Sequence, residues 1–229
     1  MNQGAQVLST SGGALAAQRN RVLRNTYWLL ALSMVPTVLG AWVGVQTGIA
    51  SAMSPGIGLV VFLAGAFGFM FAIEKNKNNA AGVPILLAFT FFMGLMLARL
   101  LGVVLGLTNG SGLIMTAFAG TGVIFFGMAS VSSDIKRDLS QMGKFLFIGM
   151  VMLLVAMIAN VFIQSSALMI TLSVLAIGIF SLFILHDLKR VQDGVETNYI
   201  SATLGVYLSL YNVFSNLLAL LGIAGGNSD

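Results

Sequence analysis

Seven long apolar blocks separated by short polar breaks constrain what this chain can fold into. They run at about Thr26–Val45, Pro55–Ile73, Val83–Leu105, Leu113–Val131, Phe145–Ile163, Ala167–Leu185 and Ile200–Ile223. Each is close to the roughly 20 residues that an α-helix needs to cross a bilayer. The chain is 58% hydrophobic and only 8% charged, whereas a soluble domain carries about 25% charged residues. So few charges do not cover a water-facing surface, but they suit a lipid-facing one. The expectation is an all-α, polytopic membrane protein with a seven-helix bundle over residues 21–229. Residues 1–20 are polar, rich in Gly, Ser, Gln and Ala, and read as a disordered tail. No cleavable leader is expected, because the first apolar block starts late and is long enough to span.

The charges supply an orientation. Cytoplasmic loops carry the Lys and Arg of a membrane protein. Arg19, Arg21 and Arg24 precede the first span, and Lys75 and Lys77 follow the second. Lys136, Arg137 and Lys144 surround the break after the fourth span, and Lys189 and Arg190 follow the sixth. The alternate breaks, near Val45–Ser54, Asn109 and Gln164–Ser166, are bare. Ten of the eleven Lys and Arg therefore fall on one side, Arg99 being the exception. Seven spans put the N-terminus in the cytoplasm and the C-terminus outside. Ser140 and Thr197 stand where they would cap the helices that follow.

Several function classes are excluded or disfavoured. The basic residues form no patch with interleaved aromatics, so no nucleic acid is expected as a partner. Cysteine is absent, which removes thiol catalysis, disulfides and every cysteine metal site. There is no HExxH, P-loop, GxGxxG or serine-nucleophile turn, and Asp187 has no second intramembrane carboxylate. The chain reads as a non-enzyme without cofactor or metal centre.

Some polar residues stand out inside the spans. The last carries Thr203, Tyr207, Tyr211 and Ser215 at i, i+4 spacing, with Ser209, Asn212 and Asn216 on a neighbouring stripe. Unpaired polar groups are costly in hydrocarbon, so this helix should be enclosed by others. Its polar face is either hydrogen-bonding glue between helices or the lining of a narrow polar path. Asp187 ends the sixth span beside the single histidine, His186. It is either a loop carboxylate, solvated or paired with Lys189 or Arg190, or a gate or proton-sensitive group facing the last helix. Arg99 is placed to snorkel outward, Asn160 to bond between helices, and Gly102 and Gly106 to provide ordinary GxxxG packing.

Runs of residues along the chain resemble the YccA branch of the Bax inhibitor-1 family. They include Val22-Leu-Arg-Asn-Thr-Tyr27, Phe118-Ala-Gly-Thr121, Arg137-Asp-Leu-Ser-Gln-Met-Gly143 and Ala159-Asn-Val-Phe162. They continue with Glu196-Thr-Asn-Tyr-Ile200, Ala202-Thr203 and Tyr207-Leu-Ser-Leu-Tyr-Asn212. The resemblance implies a seven-helix bundle around the last helix, in the bacterial inner membrane. For this branch it implies a modulator and substrate of the membrane AAA+ protease FtsH, engaged through the N-terminal tail. For other members it implies a pH-sensitive calcium leak, with calcium as a transported ion and two hydrogen-bonded aspartates as sensor. Asp187 falls at the first aspartate position and Ser209 at the second, a departure that removes the coupled carboxylate pair.

Overall fold

The computed structural model describes residues 3–137 and 139–226, without the side chains of residues 3–12, Ala14 and Ser140. The described residues form α1 (Gln3–Thr47), α2 (Ile49–Ala52), α3 (Pro55–Asn76), α4 (Gly82–Leu105), α5 (Gly110–Asp134), α6 (Ser140–Ile163), α7 (Ser166–Gln192) and α8 (Tyr199–Gly226). All except the short α2 contribute a segment long and apolar enough to cross a membrane, which in α1 is Leu15–Thr47. Each apolar block of the sequence is thus one helix, and most helices outrun their block. α7 continues past Leu185 to Gln192 and α1 starts well before Thr26. Hydropathy marks the stretch that suits lipid, whereas backbone hydrogen bonding carries a helix on into polar sequence. The tail expected over residues 1–20 lies partly outside the described residues and is otherwise the beginning of α1.

Local chemistry sets the helix ends. Ser54 accepts a hydrogen bond from the N–H of Ile57 ahead of Pro55, pairing a side-chain cap with a proline that needs no donor. Ser165 caps α7 at the N–H of Leu168. α6 stops at Gln164, whose φ of 54° is left-handed, and Asn160 Oδ1 accepts the N–H of Ser165. Asn160 therefore organises a turn within its own hairpin rather than bonding between distant helices. The cap of α8 is Asn198 and not Thr197: Asn198 Oδ1 accepts the N–H groups of Ile200 and Ser201. The proposed cap at Ser140 rests on a side chain outside the described residues.

α8 is the central helix. It packs against α1, α4, α5 and α7 and touches α3, while α6 packs on α7. Of the most apolar window of α8, 44% is buried, against 11% for α3, α5 and α6. Lipid tails are as apolar as leucine, so helices associate here through close packing and hydrogen bonds rather than through a hydrophobic drive. The closest approach joins α1 to α4. A β-carbon on Gly40 would lie 2.1 Å from the Phe91 carbonyl oxygen, and one on Gly94 would lie 2.1 Å from that of Thr37. Gly44 adds a contact with Ala98 one turn on. The expected packing pair, Gly102 and Gly106, is placed differently. Nothing lies within 4 Å of a β-carbon on Gly102, and Gly106 caps the end of α4.

Hydrogen bonds knit one end of the bundle, where the charged breaks gather. Arg19 Nη1 donates to the Gln192 carbonyl at 3.1 Å. Gln192 Nε2 donates to Ser132 Oγ at 3.0 Å, and Asn198 Nδ2 to the Lys77 carbonyl at 3.0 Å. At the other end, exposed Arg99 leaves α4 and donates to the Met53 carbonyl at 3.3 Å. It reaches outward as a snorkelling arginine does, and its partner is a backbone oxygen.

Candidate functional site

Asp187 occupies the charged end of α7, where this helix faces both α8 and α6. Its side chain is 18% exposed, and that of His186 is 9% exposed. His186 Nδ1 and Asp187 Oδ1 are 3.3 Å apart. The two side chains take different neighbours. A β-carbon on Gly205 of α8 would lie 2.7 Å from Asp187 Oδ2, so the carboxylate rests on α8 where that helix has no side chain. A β-carbon on Gly143 of α6 would lie 2.6 Å from His186 Nε2. Two glycines on two helices therefore make room for one His–Asp pair.

The pairing of Asp187 with Lys189 or Arg190, raised by the sequence, does not form. Lys189 bonds Asp193 one turn ahead, and Arg190 reaches Glu196 at 3.9 Å. Asp193 lies one turn from Lys189 on the same side of the helix, whereas Asp187, two residues back, points into the bundle against Gly205. Ser209 is one turn beyond Gly205 and is 3% exposed. Its hydroxyl donates to the Gly205 carbonyl at 3.0 Å, with no hydrogen bond to Asp187 among the described residues. Asp187 and Ser209 thus share a neighbourhood around Gly205 without a direct bond.

The polar face of α8 divides in two. Thr203, Tyr207 and Tyr211 bond across to other helices. Tyr207 Oη lies 2.8 Å from Thr37 Oγ1 of α1 and 3.4 Å from the Thr90 carbonyl of α4. Tyr211 donates to the Met93 carbonyl of α4 at 3.3 Å. The Thr203 hydroxyl lies 2.7 Å from the Tyr199 carbonyl and 3.4 Å from that of Thr26. Ser209, Asn212, Ser215 and Asn216 bond back to carbonyls of α8 itself. Such bonds satisfy donors locally without joining helices. The stripe is therefore partly interhelical glue, and its tyrosine hydroxyls are committed to packing contacts.

A cleft of about 560 Å³ adjoins this site between α6 and α7, with His186 and Asp187 in its wall. Among the described residues no three His, Asp or Glu side chains gather as a metal site. The sequence reading missed Gly205 and Gly143, whose role is visible only once the helices are assembled. It also missed Thr37 and Thr90, which look unremarkable within their own spans yet receive Tyr207.

Known proteins are similar in sequence to this chain over nearly its whole length. Residues 19–226 match the family model described as inhibitor of apoptosis-promoting Bax1. A membrane protein of Vibrio cholerae is 36% identical over 95% of this chain and 96% of its own length. A protein of Escherichia coli named modulator of FtsH protease YccA is 38% identical over 90% of this chain and 91% of its own length. Its counterpart in another Escherichia coli strain, at the same identity and coverage, is named inner membrane protein YccA.

Proposed function

The chain belongs to the Bax inhibitor-1 family, and from that premise we propose that it is a non-enzymatic inner-membrane modulator and substrate of the FtsH protease. The observation that carries this reading is the near-complete alignment with the Escherichia coli modulator, which leaves no large segment of either protein unmatched. The commitment of Tyr207 and Tyr211 to α1 and α4 favours a bundle built to hold together over one built around a wide polar path. The charge pattern supports a cytoplasmic N-terminus and a periplasmic C-terminus. In that orientation residues 1–20 are accessible to a cytoplasmic protease. An AAA+ protease needs such a segment to begin pulling, and the sequence there is polar and free of acidic residues. Deleting Met1–Asn20 is expected to lengthen the protein's half-life in cells holding FtsH while the bundle still folds. Unchanged turnover of the truncated, folded protein would overturn the substrate role.

A second reading, a pH-sensitive calcium leak, draws on one specific feature. Asp187 is a largely enclosed carboxylate beside a histidine and against the central helix. A lone carboxylate with Ser209 opposite offers calcium fewer hard oxygen ligands than a pair would, which is why this reading comes second. Its test is calcium flux in proteoliposomes at acidic and neutral pH. Flux that Asp187→Asn abolishes would establish the leak, and flux no greater than in empty liposomes would dismiss it.

A further inference from the structure

We infer that the cleft between α6 and α7 at the charged end binds the headgroup and upper acyl chains of an anionic phospholipid. α6 packs on α7 and leaves most of its surface open, so the cleft is reached from the surrounding lipid. Its wall is apolar where it meets hydrocarbon: Phe147 is 58% and Ile148 55% exposed on α6, with Phe183 across from them on α7. Its rim, where it meets water, carries Lys144, Lys189 and Arg190; Lys189 pairs with Asp193 and Arg190 reaches Glu196, so Lys144 is the basic group left to meet an anion among the described residues. Asp193 also lines the rim, but it is engaged by Lys189, and Asp187 lies beside His186. Lys144 has no carboxylate partner among the described residues. α6 begins beside the cleft, with Leu139 at its N-cap position and in the cleft wall. The positive end of its dipole therefore lies at the rim.

The occupant that satisfies both halves has an anionic phosphate at one end and hydrocarbon at the other, and it arrives from the bilayer. Basic pockets between spanning helices are the places where anionic headgroups are held. A free phosphate would use the rim and leave the apolar wall idle. A zwitterionic lipid would use the wall but bring its own ammonium to the lysines. Gly143 lets the His186 ring pack against α6 in the wall of the cleft, because a side chain there would run into it.

The test uses the full-length protein in detergent and native mass spectrometry, with dioleoyl phosphatidylglycerol, dioleoyl phosphatidylcholine or inorganic phosphate added. Phosphatidylglycerol is expected to be retained several-fold better than phosphatidylcholine. Lys144→Gln is expected to lower that retention about fivefold, the effect of one basic residue on an anionic lipid, and to leave phosphatidylcholine unchanged. Lys75→Gln, on α3 away from the cleft, is expected to change neither. Should Lys144→Gln fail to fold, Phe147→Ala at its exposed wall position must lower retention instead. Equal retention of the two lipids would overturn the proposal, as would equal losses from Lys144→Gln and Lys75→Gln. Protection from thermal unfolding by inorganic phosphate that matches the lipid would also overturn it and assign the rim to free anions.

Discussion

A carboxylate placed at Ser209 would stand one turn from Gly205, against which Asp187 already rests. Burial at 3% exposure disfavours its charged form, and the Asp187 carboxylate nearby disfavours it further. Such a group is tolerated when protonated and destabilises the fold when it must carry its charge. Ser209→Asp is expected to melt at a lower temperature at neutral than at acidic pH, relative to the natural protein measured in the same detergent. A pH-independent difference would show that position 209 is more solvated than its burial indicates. The sequence marked Asp187 because a carboxylate closes an apolar run, but it left the partner open among Lys189, Arg190 and the last helix. Spacing along one helix reveals local competitors such as Lys189 and Asp193. It cannot reveal that Gly205, on another helix, leaves room for the carboxylate.

Between elements, the contact of α1 with α4 depends on small residues at two facing positions. A methyl group at Gly94 would sit 2.1 Å from the Thr37 carbonyl, so the backbones must separate to admit it. Gly94→Ala is expected to cost about 1–3 kcal/mol, as overpacking of a tight contact does. Gly102→Ala, with nothing within 4 Å of the new carbon, is expected to cost nothing. Thermal unfolding of the two variants side by side checks the pair, and equal losses would mean that α1 and α4 are not held at this distance. Gly40 and Gly44 have the same spacing as Gly102 and Gly106, and spacing alone does not separate them. The helices themselves were legible because apolar length is dictated by the bilayer. Which faces meet depends on how the helices are rotated, and weak periodicity in an all-apolar helix leaves that unspecified. The polar stripe of α8 was the exception, because its Thr203, Tyr207 and Tyr211 required protein neighbours and so placed the helix centrally.

Across the whole molecule, the clustering of basic residues at one end makes the orientation testable. At the charged end Arg19 of α1 bonds Gln192 of α7, Gln192 bonds Ser132 of α5, and Asn198 before α8 bonds Lys77 after α3. Inverting the protein would move all these bonded groups together across the membrane, so orientation is a property of the bundle as a unit. The chain contains no cysteine, and single cysteines can therefore report on each side without a background. Ala80 is exposed between α3 and α4 at the charged end, and Thr108 is exposed between α4 and α5 at the other. With a membrane-impermeant maleimide added to spheroplasts, Thr108→Cys is expected to react at once and Ala80→Cys only after lysis. The charge bias favours this outcome, because each Lys or Arg near a span end resists translocation. The reverse pattern would place residues 1–20 outside, where a protease working from the cytoplasm cannot engage them. It would overturn the tail-handle mechanism while leaving the fold, the family and the α6–α7 cleft as they stand.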